Sequence, residues 1–258
     1  MKQYKAIFID WDDTIGDFQG SAQAAQRDIY EKHHLSEFFS SYEAYYDCYH
    51  EHNVELWERY GRGEVTKEFL QRDRFLWPLC HQMGIPTPED KITQRCQAPL
   101  CKNPLVRLAD QMGEDFLAFT NKYFRVLPGA VELVQYLAAK YPVVVVSNGF
   151  VEVQYYKIEH SGLKDAFAAV VLSEEVGIQK PQAGIYEAAI RQLNAYREAR
   201  GESPIAREEI LMIGDSYSSD IEGAKNAGID QLWINSNDND NKTATYEVHS
   251  LAEIYDIV

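Results

Sequence analysis

Asp10 and Asp12 end an apolar run over residues 4–9, just before Thr14, so an expected strand stops in paired carboxylates. Side chains alternate along an extended chain, which puts residues two apart on one side. One acid there can attack an electrophile while its neighbour carries protons, as a phosphate-ester hydrolase working through an aspartyl-phosphate requires. Packing explains neither acid, although a turn with a helix cap is the plainer use of Asp10, Asp12 and Asp13. An ordinary Asp titrates near about 3.9, so Asp12 can donate a proton only where burial or nearby negative charge raises that value.

The theme recurs downstream. Ile213 and Gly214 lead into Asp215 and Ser216, with Asp220 where the following helix begins. Oxygen ligands delivered by two strands suit Mg²⁺, which takes carboxylates, waters and substrate phosphate; the plainer reading is an N-capped helix, and it fits Asp220 better than Asp215. Lys180 precedes Pro181 in a loop where a fixed ammonium could neutralise a phosphate, although a lone Lys is normally solvated. Ser147, before Asn148 and Gly149, offers a hydroxyl and backbone N–H groups as a cradle for phosphate oxygens, or else a common turn. Taken jointly, an acid pair, a hydroxyl, a lysine and a further acid fall in order at the ends of separate apolar runs.

Those runs predict the scaffold. Residues 143–146, 168–172, 210–213 and 231–234 are short, apolar and separated by helix-length segments such as 183–199 and 218–227, which predicts a parallel α/β sheet. Ligands of such sheets lie beyond the carboxyl ends of the strands, where Asp10, Ser147 and Asp215 are expected. A short run at 246–248 and a helix over 251–257 close the chain. Between about residues 17 and 125 no strand is evident. Tyr42, Tyr45, Tyr46, Tyr49, Leu56, Trp57 and Tyr60 recur at helical spacing and read as the core of a small bundle. Thr66 reads as an N-cap with Val65 and Leu70 as its staple, and Thr87 with Pro88 as the start of another helix. The expected division is a catalytic core at 1–16 and 126–258, interrupted by a helical insertion at 17–125.

At 258 residues and 45% hydrophobic, the chain can bury a full core. A formal net charge of −15 with no Lys/Arg cluster disfavours a nucleic-acid polymer as partner, while a small anion held locally stays compatible. No N-terminal segment is long and apolar enough for export or a bilayer span, so a cytoplasmic location without membrane contact is expected. Cys48, Cys80, Cys96 and Cys101 lack zinc-ligand or disulfide-framework spacing and read as reduced packing residues. His33, His34, His50, His52 and His81 read as solvated helix positions. Residues 235–242, rich in Asn and Asp, read as an exposed loop without a calcium-loop pattern.

The quoted residues resemble the four motifs of the haloacid dehalogenase-like superfamily: Asp10, Trp11, Asp12, Asp13 and Thr14; then Ser147; then Lys180 with Pro181; then Gly214, Asp215 and Ser216 with Asp220. The match runs through the whole chain. It implies a Rossmann-like parallel-sheet core, an all-helical cap between the first two motifs, and Mg²⁺ as cofactor. By this resemblance Asp10 is the nucleophile and a metal ligand, and Asp12 is the general acid and base, its carbonyl also facing the metal. Thr14, Ser147, Asn148 and Lys180 would bind the phosphoryl group, Asp215 the metal, and Asp220 would act through water or orient Lys180.

Founding dehalogenases and phosphonate-cleaving relatives lack an acid at the position of Asp12, so the resemblance disfavours both chemistries. Trp11 and Asp13, together with Ser147, Asn148 and Gly149, are similar to a bacterial subgroup containing pyrimidine 5'-nucleotidases, whereas Gly16 replaces a residue that is often bulky there. The expected activity is Mg²⁺-dependent hydrolysis of a small phosphate ester, foremost a nucleoside monophosphate. Aromatic side chains of the insertion, with Arg62, are available to stack on a base. The alternatives are phosphoglycolate or a sugar phosphate as substrate, a β-phosphoglucomutase-like phosphomutase, and a catalytically idle phosphate-binding protein.

Overall fold

The computed structural model describes residues 2–87, 103–236 and 242–258. The chain divides into two compact units, Met1–Phe18 with Phe124–Val258, and Gln19–Tyr123.

The first unit is built on β1 (Ala6–Ile9), β2 (Val143–Ser147), β3 (Phe167–Leu172), β4 (Ile210–Gly214), β5 (Asp230–Ile234) and β6 (Tyr246–Val248), all parallel in the order β3-β2-β1-β4-β5-β6. The expected Rossmann-like sheet is what forms. Its central strands read as unbroken apolar runs because helices cover both faces. Ile7, Ile9, Val143, Val145, Leu211 and Ile213 pack on one side with Leu133 and Leu137 of α5 (Ala130–Lys140). Ala6, Phe8, Val144, Val146 and Met212 pack on the other with Ile185, Ala189 and Leu193 of α8 (Ala183–Glu198) and Ala224 of α9 (Glu222–Asn226). The unit also holds α6 (Val151–His160) and α7 (Ser173–Val176).

In the second unit, the described residues form α1 (Phe18–Lys32, from Gln19 on), α2 (Tyr42–Gly61), α3 (Lys67–Gln82) and α4 (Pro104–Tyr123). Ser41 and Thr66 cap α2 and α3 by accepting from Ala44 N and Phe69 N, each at 3.2 Å. The tyrosine stripe is core: Tyr45 and Tyr49 are buried among Phe75, Leu79, Met112 and Phe116, and Tyr49 stacks on Phe75. Arg62 is exposed and engaged by Glu64 and Glu58.

Several expectations need correction. His52 is buried rather than solvated: a neighbouring ring, Trp77, and the Asp73 carboxylate at 2.9 Å give it partners that sequence spacing cannot show. Asn235 is likewise buried, its side chain donating to Glu247 of β6. The segment expected as one helix over 218–227 opens with a π-turn at Tyr217–Ile221 before α9, and the last segment, Leu251–Asp256, winds as a 3₁₀ helix. Cys80 is buried and Cys48 partly so, both free. The helix expected from Pro88, Cys96, Cys101 and residues 237–241 lie outside the described residues. No described helix is long and apolar enough to cross a membrane.

Candidate active site

Strand succession reverses between β1 and β4, the place where an open parallel sheet leaves a crevice beyond its carboxyl ends. Asp10 follows β1 directly, and its N–H donates to Ile213 O of β4 at 2.9 Å. Asp215 follows β4; Ser147 ends β2. The sheet itself therefore delivers these side chains to one region.

Lys180 joins them. Its buried ammonium donates to Asp10 Oδ1 at 2.5 Å, Asp220 Oδ1 at 2.7 Å and Val146 O at 2.8 Å, one acceptor for each N–H. Burial opposes the charge, yet Asp10 and Asp220 more than offset it, and the Lys180 pKa rises. Asn148 fixes the backbone here: its Oδ1 accepts from Lys180 N at 2.9 Å and its Nδ2 donates to Lys180 O at 3.0 Å. Asp220 also accepts from Ser216 N at 3.0 Å. Gly214 is what lets Asp220 fold back so closely, because a Cβ there would meet Asp220 Oδ2 at 2.4 Å.

Asp215 is bracketed by Thr14, whose hydroxyl donates to Asp215 Oδ1 and accepts from Asp215 N, both at 3.1 Å. Trp233 Nε1 holds the Asp215 carbonyl at 2.8 Å. Burial, then Asp220 and Asp13, push the Asp215 carboxyl up to about 7, against the pull of Thr14 and Lys180. Asp10 is raised as well, by burial first and then by Asp220, Asp215 and Asp12, with Lys180 opposing. Ligand oxygens of Asp10, Asp215 and Asp220 all lie within 4.8 Å of one another. Hard oxygen donors and concentrated negative charge fit a cation such as Mg²⁺. Asp10 and Asp215 are the better pair to hold it, because both Asp220 oxygens already accept hydrogen bonds.

Asp12 does not share this cluster. Its Oδ2 accepts from Gln154 Nε2 at 2.7 Å and its Oδ1 from Lys157 Nζ at 2.5 Å, both residues on α6. Gln154 Nε2 also reaches Ser147 Oγ at 3.0 Å. Sequence reasoning missed Gln154 and Lys157, because a Gln and a Lys three residues apart on a helix look like a solvated face. The Gly149 N–H, expected to face a ligand, donates instead to Ser147 Oγ at 3.1 Å, since the turn after β2 closes on its own hydroxyl.

The model of the haloacid dehalogenase-like hydrolases matches residues 4–228. Pyrimidine 5'-nucleotidase YjjG of Escherichia coli is 30% identical over 96% of this chain and 95% of its own length. Pyrimidine 5'-nucleotidase PynA of Streptococcus pneumoniae is 29% identical over 98% and 94%. The solved structure of the HAD-hydrolase YfnB of Bacillus subtilis, bound to magnesium, has a TM-score of 0.76 at 24% identity and 99% coverage of both chains, which shows the shared fold. With its motif residues gathered at the carboxyl ends of a parallel sheet, the chain belongs to the haloacid dehalogenase-like hydrolases.

Proposed function

We propose that this enzyme is a Mg²⁺-dependent 5'-nucleotidase that transfers the phosphoryl group of a nucleoside monophosphate first to Asp10 and then to water. The chain is a phosphomonoester hydrolase; the metal, the nucleotide and the residue roles are our reading. The observation that carries it is the meeting of Asp10, Lys180 and Asp215 at the sheet's switch point, with Asp12 beside them in separate hydrogen bonds.

In the first half-reaction an Asp10 oxygen bonds to phosphorus as the ester P–O bond breaks, and the departing alkoxide takes a proton from Asp12. In the second, the Asp12 carboxylate takes a proton from water, whose oxygen attacks the acyl phosphate, releasing inorganic phosphate and restoring Asp10. Asp10 and Asp215 would hold Mg²⁺, with the Asp12 carbonyl facing it, and the ion supplies charge neutralisation to the phosphoryl oxygens. Lys180 balances the charge of Asp10, Asp220 fixes Lys180, and Asn148 sets its loop. Thr14 acts by orienting Asp215, and Ser147 offers its hydroxyl to the phosphoryl group.

The helical unit serves as the cap, the part in which family members differ in what they select. The preference for nucleotides rests on full-length similarity to YjjG and PynA. Phosphate release is measured from pyrimidine and purine monophosphates, ribose 5-phosphate and phosphoglycolate, with Mg²⁺ and with chelator. We expect Mg²⁺-dependent release, fastest from a nucleoside monophosphate. Good turnover of sugar phosphate without nucleotide turnover overturns the nucleotidase assignment, and isomerised hexose phosphate without free phosphate identifies a mutase.

A further inference from the structure

We propose that Gln154 and Lys157 are positioning residues that hold the Asp12 carboxylate in the orientation its proton transfers require. Each Asp12 oxygen has its own donor from α6, Gln154 Nε2 at 2.7 Å and Lys157 Nζ at 2.5 Å. Residues three apart on a helix share a face, so one rigid element grips both ends of the carboxylate. Gln154 Nε2 also donates to Ser147 Oγ at 3.0 Å and thereby links Asp12 to the end of β2.

Burial argues that this grip serves the reaction. Gln154 is fully buried, and its Oε1 has no hydrogen-bond partner among the described residues, a cost that a residue selected for stability alone would shed. Only the amide nitrogen can face the anionic Asp12, which fixes the orientation of the group. The Lys157 side chain is 5% exposed, although a lysine on a helix of the outer layer would normally extend its ammonium into water. Among the described residues Asp12 is the carboxylate that it pairs with, and the Phe18 ring covers its ammonium at 4.8 Å. Gly149 makes room for the arrangement: a Cβ there would sit 1.9 Å from Gln154 Nε2.

The inference rests on the proposed role of Asp12, and its consequence is selective. An alkoxide leaving group needs a proton as its bond to phosphorus breaks, whereas p-nitrophenolate departs without one. Loosening Asp12 therefore slows attack on an alkyl phosphate and spares attack on an aryl phosphate. A general damage to the fold or to phosphate binding would lower both alike.

The test compares kcat/KM for p-nitrophenyl phosphate with that for uridine 5'-monophosphate or ribose 5-phosphate, whichever the parent turns over faster, in Gln154→Leu, Lys157→Met and Gly149→Ala. Gly149→Ala displaces Gln154 without altering it, an independent route to the same loss. We expect a fall of about 10²-fold on the alkyl phosphate, the scale of a misoriented proton carrier, with less than about a threefold change on the aryl phosphate in Lys157→Met. Gln154→Leu and Gly149→Ala, which also disturb Ser147, lose on both substrates but more on the alkyl phosphate. Lys157→Arg should recover most of what Lys157→Met loses. Equal losses on both substrates, or no loss in Gln154→Leu and Lys157→Met, overturn the proposal. An active Asp10→Asn enzyme would instead defeat the aspartyl-phosphate reading, and parent preference for ribose 5-phosphate would defeat only the nucleotide assignment.

Discussion

Lys180 Nζ lies 2.7 Å from Asp220 Oδ1, and both side chains are withdrawn from solvent, 2% and 0% exposed. The pair binds the loop after α7 to the turn after β4, so the lysine's place relative to Asp10 depends on a residue that need not touch substrate.

Asp220→Ala should therefore damage stability as well as turnover. Removing one partner of a buried pair leaves its mate uncompensated, a cost of about 3–5 kcal/mol. Asp220→Asn, which keeps an acceptor near Lys180, should lose less stability. Urea denaturation of the three proteins measures the order; an Asp220→Ala protein as stable as the parent contradicts it.

Asp10→Asn should abolish turnover, by at least about 10³-fold, while the fold survives. The substitution keeps volume and polarity at a site where burial already disfavours the charge. Phosphate release and a thermal melt, run side by side, separate the two effects.

Mg²⁺ should stabilise the parent and act through Asp215. An ion at 100 times its Kd adds about 2.7 kcal/mol to unfolding free energy if it binds only the folded state. Thermal melts with and without Mg²⁺ should show a shift in the parent that Asp215→Ala lacks. An undiminished shift in Asp215→Ala would place the ion elsewhere.

Asp115 in α4 should stabilise the helical unit only above acidic pH. Burial raises its carboxyl, but Lys32 at 2.7 Å and His33 at 2.8 Å outweigh this and hold it below the ordinary value. A depressed folded-state value means that the contribution is fully present above the unfolded value of about 3.9 and is lost as pH falls through the folded one. Asp115→Asn should thus cost about 0.5–1 kcal/mol at neutral pH, and the two proteins should converge only once pH has fallen below the depressed folded-state value. Urea titrations across that range provide the measurement.

Much of this molecule is legible in one dimension. Residues 143–146 or 210–213 could be read as strands because a parallel sheet is covered on both faces, which leaves no polar position to interrupt the run. The tyrosine stripe of α2 marks its buried face by the same logic of periodicity. His52 escaped that reading, since its burial depends on Trp77 and Asp73, residues of α3 that only packing brings near.

The sequence by itself determined the alternation of strands and helices and the residues standing at the strand ends, Asp10, Ser147 and Asp215, because hydrophobic periodicity is written locally along the chain. Only the tertiary structure decided that Lys180 spends its three N–H groups on Asp10, Asp220 and Val146, and that Gln154 and Lys157 turn inward to Asp12. The physical reason is that a hydrogen bond is set by where two groups meet in space, and partners up to 170 residues apart leave no common local pattern by which either could be recognised.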